Sequence, residues 1–228
     1  MITVWRIGLD AARPPDEASR AVLSEAERAR AARFLRDTDR NRWLHGHVAL
    51  RHILGAALSV PPASIAYETG PHGKPRLASP ADSGIDFNFS DSGDFALAAV
   101  STGGAVGVDI EACRPQPDLE AIARSHFSAE EAAALLALPR EEQRAAFYRI
   151  WTRKEAYLKA LGAGLSYGLG RFAMTHDATD VRLLHVDGDA AEAADWSVHP
   201  IALPAGYDGA LAARWPTKDV QVVEWEGV

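Results

Sequence analysis

Ile150-Trp151-Thr152-Arg153-Lys154-Glu155-Ala156-Tyr157-Leu158-Lys159 is the stretch on which the reading of the whole chain turns. It lies within Phe147 to Leu161, a run free of Pro and Gly and rich in helix formers, so it predicts a helix. At 3.6 residues per turn Trp151, Glu155 and Lys159 share one face. Leu158 and Leu161 take the neighbouring apolar stripe, and Lys154 sits off to the side. Alone, a Glu–Lys pair one turn apart is most often a solvated ion pair worth ~0.3–0.5 kcal/mol. It gains meaning from a second acidic cluster elsewhere in the chain.

That cluster is in Ala105-Val106-Gly107-Val108-Asp109-Ile110-Glu111, which alternates like a strand. Val108 and Ile110 face one way, Asp109 and Glu111 the other. Unpaired buried acids are costly, so two carboxylates on one side of an apolar strand predict a cation between them. Asp109 and Glu111 from the strand and Glu155 from the helix offer three hard oxygen ligands. Such a set suits Mg²⁺, which keeps several waters and is commonly shared with substrate phosphates. Lys159, Lys74 and arginines of the first half could hold the rest of a polyanion, and Gly73 lets the backbone approach it. The sum is a metal-assisted diphosphate site with one carboxylate able to take a proton.

The remaining sequence predicts short elements around these two. Ile2 to Leu9 reads as a half-buried edge strand, closed by Pro14-Pro15. Ser24-Glu25-Ala26-Glu27 is a capping box opening a helix to about Leu35, and Trp43 to Leu58 is a second helix. Arg28, Arg30, Arg33, Arg36, Arg40 and Arg42 make a local cationic patch, either a solvated face or an anion site. Ile65 to Tyr67 is a strand, followed by the breaker-rich turn Gly70 to Leu77 with Lys74 near its tip. Ile85 to Gly93 and Phe95 to Ser101 are strands, and Gly103-Gly104 makes a return. Two helices follow, Asp118 to Arg124 and one capped by Ser128 to Glu131. Gly162 closes the main helix, and short strands run from Phe172 to Trp225. A faint repeat lays Trp43 over Trp151 and Arg51 over Lys159. We therefore expect an α+β fold of two similar halves with pseudo-twofold symmetry, each a small antiparallel sheet packed with a long helix. The halves are placed at residues 1–104 and 105–228.

Composition bounds the rest. Of 228 residues, 47% are hydrophobic and 24% charged, an ordinary balance for a soluble globular chain. The single cysteine, Cys113, rules out an intrachain disulfide and a thiolate metal site. The segment MITVWRIGLD lacks the apolar core of a signal peptide, and no run reaches the ~18 apolar residues of a membrane span. A net charge of −7 speaks against general nucleic-acid binding. His45, His47 and His52 lie on different helix faces, which disfavours a histidine metal site. A cytoplasmic protein, with no membrane or nucleic-acid partner, is expected.

Gly107 to Glu111 followed by Trp151 to Lys159 resembles the two-part signature of the 4'-phosphopantetheinyl transferases, of the longer, two-halved Sfp type. Gly73-Lys74-Pro75, Phe87-Asn88-Phe89-Ser90, Phe127-Ser128-Ala129-Glu130 and the helix segment from Arg33 to Arg51 are similar too. The resemblance implies transfer of 4'-phosphopantetheine from coenzyme A to a serine of an apo carrier protein, with release of adenosine 3',5'-bisphosphate. It implies Mg²⁺ on Asp109, Glu111 and Glu155, and catalysis by Glu155 as base and Lys159 as neutraliser of the diphosphate. Coenzyme A would be held by Arg33, Arg42 or Arg51, by Gly73, Lys74 and Pro75, and by Asn88, Ser90 and Lys159. The carrier would come from a fatty-acid, polyketide or nonribosomal peptide synthase, in secondary metabolism among other settings, and the enzyme would be a monomer. Carrier docking is expected near Ile122 to Leu138, with core packing the better role for Phe127 and Leu135.

One position departs from the family pattern. After the serine matched by Ser90 the family usually has His, and here Asp91 stands instead. Two other readings remain at this stage: a coenzyme A-binding module without chemistry, and a Mg²⁺-dependent phosphohydrolase. Replacing the repulsive carboxylate in Asp91→His is expected to lower the KM for coenzyme A with turnover intact, measured by steady-state kinetics. A raised KM would show Asp91 to be an integral part of the site.

Overall fold

The computed structural model describes residues 1–80 and 83–227. In chain order the elements are β1 (Ile2–Gly8), α1 (Glu17–Arg20), α2 (Glu25–Ala31), α3 (Asp37–Leu58), β2 (Ala66–Thr69), β3 (Pro75–Ser79), β4 (Asp86–Ser92), β5 (Phe95–Ser101) and β6 (Val106–Ala112). There follow α4 (Leu119–His126), α5 (Ala129–Ala137), α6 (Arg140–Leu161), β7 (Phe172–Met174), β8 (Leu183–Val186), α7 (Ala190–Ala193), β9 (Ser197–Pro200), β10 (Tyr207–Ala213) and β11 (Val220–Glu224). The architecture is α+β, as expected. β11-β1-β5-β4 form one sheet and β6-β10-β9 another, with small hairpins β2-β3 and β7-β8.

Each half builds a long helix onto three antiparallel strands. α3 packs on the sheet containing β1 and β5, and α6 on β6 and β10. Both helices have 22 residues and both end on a left-handed residue, Ser59 and Gly162. Both predicted capping boxes form, Ser24 with Glu27 and Ser128 with Glu131. The order β4-β5-β1 in one half is echoed by β9-β10-β6 in the other.

Three sequence expectations need correcting. The repeat register is shifted: helices of equal length set Arg51 against Lys154, not Lys159. These two are buried cations doing the same task. Arg51 Nε donates to Glu27 Oε2 at 2.8 Å, and Lys154 Nζ lies 2.7 Å from Glu131 Oε2. In each case the acceptor is the capping-box glutamate of the preceding helix. Second, β1 is no edge. β11 pairs parallel along its outer side, and Ile2 and Val4 of β1 are fully buried against residues of β5, β6 and β10. Third, β11 therefore leaves the C-terminal half, expected as 105–228, and completes the first sheet. A salt bridge from Arg6 to Glu224 accompanies that pairing.

The two sheets meet edge to edge at β4 and β6, with side chains replacing a backbone ladder. Val106 N–H donates to Asp86 Oδ2 (2.8 Å), Val108 N–H to Asn88 Oδ1 (2.9 Å) and Ala112 N–H to Ser92 Oγ (3.1 Å). Behind this seam Ile2, Val4, Leu97 and Ala99 share one apolar cluster with Val106, Val108, Ile110 and Leu211. The far face of β6 is covered by α6. A Cβ placed on Gly107 would lie 2.2 Å from the Ala156 carbonyl oxygen and 2.4 Å from the Ala160 nitrogen. Only hydrogen fits there, so helix and strand backbones touch.

Gly107→Ala is expected to push α6 off β6. Denaturant unfolding should show a loss of about 1–3 kcal/mol, the usual cost of overpacking. Activity should fall further than stability, since Glu155 and Lys159 move with the helix. A variant of unchanged stability would show that the contact is not tight.

Candidate active site

Close approach at Gly107 sets Glu155 and Lys159 over the acids of β6. Asp109 is only 4% exposed. Its Oδ1 accepts from Lys159 Nζ at 2.7 Å and from Ser90 Oγ at 2.9 Å. Lys159 Nζ also donates to Ser90 Oγ at 2.8 Å. Asp109 Oδ2 is buried and has no hydrogen-bond partner. Ser92 Oγ donates to Glu111 Oε2 at 2.8 Å. Ser90 and Ser92 belong to the same alternating stripe of β4 as Asp86 and Asn88. One row of side chains therefore joins the halves and touches the acids.

Burial is the main reason that the carboxyl pKa values of Asp109, Glu111 and Glu155 are all raised. Glu155 is pushed up to about 7, with Asp109 and Glu111 adding to burial and Lys159 opposing it. Lys159 thus faces three crowded acids and holds one oxygen of one of them, while the charge of Arg114 also reaches Glu111. Among the described residues no three His, Cys, Asp or Glu side chains already stand in a metal-holding group. The donor set nevertheless fits a hard cation. It supplies three carboxylates of shared repulsion and one orphaned buried oxygen, which a divalent ion would satisfy.

A cleft of about 280 Å³ opens beside these groups. His72, Gly73, Lys74, Pro75, Asn88, Phe89, Glu155, Leu158, Lys159, Gly162 and Gly164 line it, drawing the predicted loop and helix together across the two halves. Gly73 has φ +87° and His72 φ +59°, so this loop needs glycine for its turn. Lys74 reaches inward, with Nζ donating to Asp86 Oδ2 (2.9 Å) and to the Val106 carbonyl (3.0 Å). Its ammonium is already partnered, and it ties the loop to the seam. Asn88, 5% exposed, spends its oxygen on Val108 N–H.

The arginines divide. Arg51 is 1% exposed, and its guanidinium is consumed by Glu27 and by the carbonyls of Pro62 and Ile65. It serves the capping box of α2, and it also lines a cavity with Arg30, Trp43 and His47. Arg42 is paired with Asp94 at 2.8 Å and Asp39 at 3.6 Å. Arg33 is exposed in a shallow depression with Arg30 and Phe34. Arg30, expected only as one member of the cationic patch, acts with Lys159 on Asp91, both opposing the rise that burial imposes on its carboxyl pKa. Ser92 and Asp86 were missed too, although the period-2 polar stripe of Asp86, Asn88, Ser90 and Ser92 was there to be read. Phe127 and Leu135 are both buried in a core cluster with Phe147 and Ile150. Cys113 has its thiol pushed up to about 11 by burial, which suits no nucleophile.

Comparison with known proteins follows this geometry. Residues 105–212 match the model described as 4'-phosphopantetheinyl transferase superfamily. Residues 15–103 match that described as 4'-phosphopantetheinyl transferase, N-terminal. The 4'-phosphopantetheinyl transferase HetI of Nostoc sp. is 41% identical over 166 residues, 72% of this chain and 70% of that protein. The 4'-phosphopantetheinyl transferase psf-1 of Bacillus pumilus is 36% identical over 205 residues, covering 90% of this chain and 84% of that one. The 4'-phosphopantetheinyl transferase Sfp of Bacillus subtilis is 31% identical over 211 residues, 90% and 88% of the two chains. All of these are transferases, and both halves of the chain are matched in order. The chain belongs to the 4'-phosphopantetheinyl transferase superfamily, and its relatives include the Sfp type.

The raised Glu155 carboxyl carries a stability consequence. With a folded-state pKa near 7 against an ordinary 4.5, the native state keeps a proton that the unfolded chain has lost between those values. Stability from this group therefore falls as pH rises through that window. Without divalent cation, Glu155→Gln is expected to match the wild type below pH ~4.5. Above pH ~7 it should exceed it by about 1–2 kcal/mol after allowance for solvent screening, read from denaturant melts. Equal stability at pH 8 would remove the case for a crowded Glu155.

Proposed function

We propose that this protein transfers the 4'-phosphopantetheine group of coenzyme A to a serine of an apo acyl-, peptidyl- or aryl-carrier protein, releasing adenosine 3',5'-bisphosphate. The observation that carries this reading is the buried, unpartnered Oδ2 of Asp109 beside Glu111, Glu155 and Lys159, the last two of which line the cleft. Asp109, Glu111 and Glu155 would hold Mg²⁺, which when bound draws negative charge from the diphosphate oxygens.

Glu155 is the proposed general base. Without a cation, burial and the neighbouring acids hold its carboxyl at about 7, and a bound divalent ion would draw that value down and leave the carboxylate ionised to take a proton. The serine oxygen forms a bond to the phosphorus on the pantetheine side, and its proton passes to Glu155, directly or through a water. The bond from that phosphorus to the bridging oxygen breaks, and the electron pair leaves with the nucleotide. Lys159 meets the charge that develops on the departing phosphate. Its ammonium is held by Asp109 and Ser90 beside the cleft that Lys159 lines.

Gly73, Pro75 and the lysine-anchored loop between them would shape the nucleotide end, with Ser90, Asn88 and Lys159 toward the diphosphate. Of the arginines, Arg33 is exposed to meet a phosphate and Arg42 could do so by exchanging Asp94. The net charge of −7 and the family favour a cytoplasmic monomer acting on a carrier protein rather than on nucleic acid; among the described residues no helix is long and apolar enough to cross a membrane. The two parts of the proposed enzyme are residues 1–104 with β11 and residues 105–219.

Incubation with coenzyme A, Mg²⁺ and a panel of apo carriers should add one phosphopantetheine to a carrier, seen by intact-protein mass spectrometry. Glu155→Gln should cut kcat by about 10²-fold or more while remaining folded. Coenzyme A cleaved without a carrier would instead mark a phosphohydrolase, and binding without chemistry a retired enzyme.

A further inference from the structure

Asp208 has no role in the site as described, yet it faces it. β10 pairs antiparallel with β6 so that Asp208 lies directly opposite Glu111, and Ala210 opposite Asp109. Opposed residues share a face, with Cβ atoms about 4.5–5.5 Å apart. That face is the one covered by α6, where Thr152 Oγ1 donates to Asp208 Oδ1 at 2.8 Å. Like charges directly opposite destabilise a sheet, so this pair does nothing for the fold by itself. Ion pairing does not relieve it either. Arg153 and Arg149 bear on Asp208 electrostatically, but they donate to the carbonyls of Thr175, Asp177 and His176.

Glu111 sits between a push and a pull. Asp208 stands opposite it on β10, Ser92 Oγ holds it from the β4 side at 2.8 Å, and the charges of Asp109, Lys159 and Arg114 reach it as well. The result leaves Glu111 turned toward the seam where Asp109, 4% exposed, keeps an oxygen without a partner.

We propose that Asp208 is a positioning residue for the cation site: its charge keeps Glu111 turned to Ser92 and Asp109 and raises the affinity of Asp109, Glu111 and Glu155 for a divalent cation, without touching the ion. The inference rests on the reading of those three carboxylates as the Mg²⁺ ligands. Asp208→Asn preserves the shape and still offers an oxygen to Thr152.

The test is calorimetric titration of Mn²⁺, without coenzyme A, into the wild type, Asp208→Asn, Asp208→Glu and Glu155→Gln. Asp208→Asn should weaken Mn²⁺ binding by about three- to ten-fold, the effect of one charge a few ångströms away in a largely aqueous dielectric. Asp208→Glu should restore most of it. Coenzyme A binding in chelator should be unchanged or tighter in Asp208→Asn, because a negative charge has left the neighbourhood of a polyanion. A merely structural residue would weaken both ligands together. Equal Mn²⁺ affinity in wild type and Asp208→Asn overturns the inference, as does parallel loss of both ligands. A wild type that binds no Mn²⁺, or binding untouched by Glu155→Gln, sinks the metal reading itself and this inference with it.

Discussion

The site exists because α6 lies backbone to backbone on β6. At Gly107 the carbonyl of Ala156 and the nitrogen of Ala160 occupy the space where a side chain would be. Any larger residue would lift the helix, and Glu155 and Lys159 would rise with it. The same contact strips water from Asp109 and Glu155, which is what drives their carboxyl pKa values upward. Geometry and electrostatics of the acid cluster thus have one origin, the absence of a single methyl group.

A second constraint is how the halves are joined. Edge strands carry unpaired backbone groups that must be covered. Here β4 covers the edge of β6 with side-chain oxygens, Asp86, Asn88 and Ser92 each accepting from a β6 N–H. A side-chain seam holds the strands farther apart than a backbone ladder and leaves room for polar groups between them. Ser90 uses that room to reach Asp109, and Lys74 to reach Asp86. The residues that hold the protein together are therefore interleaved, one by one, with those offered for chemistry.

The buried cations show how similar local chemistry is put to different ends. Arg51 and Lys154 take matching places on two helices of equal length, each satisfying the glutamate of a capping box. Buried charges of this kind are stable only when fully partnered. Five residues beyond Lys154 on α6, Lys159 is only partly buried and shared between Ser90 and Asp109. Burial separates the structural lysine from the one placed to work.

The α+β class, both capping boxes, the strand of Val106 to Glu111 with its two faces and the helix bearing Glu155 and Lys159 were legible in the linear sequence. Each is encoded by local periodicity or by a cap four residues long, and local physics needs no partner to be read. The union of Asp109 with Lys159, fifty residues away, was inferable only as chemistry that ought to meet. Which cations are spent inside the fold could not be read. Arg51 and Lys74 carry the same charge whether they face a ligand or a glutamate or aspartate of the fold. Nor could β11 be assigned to the first sheet, or Asp208 set opposite Glu111, since strand pairing depends on edges brought together by the whole chain. Residue type and spacing settled what chemistry is on offer; tertiary packing alone decided which groups are free to perform it, because burial and pairing are properties of neighbours distant in sequence.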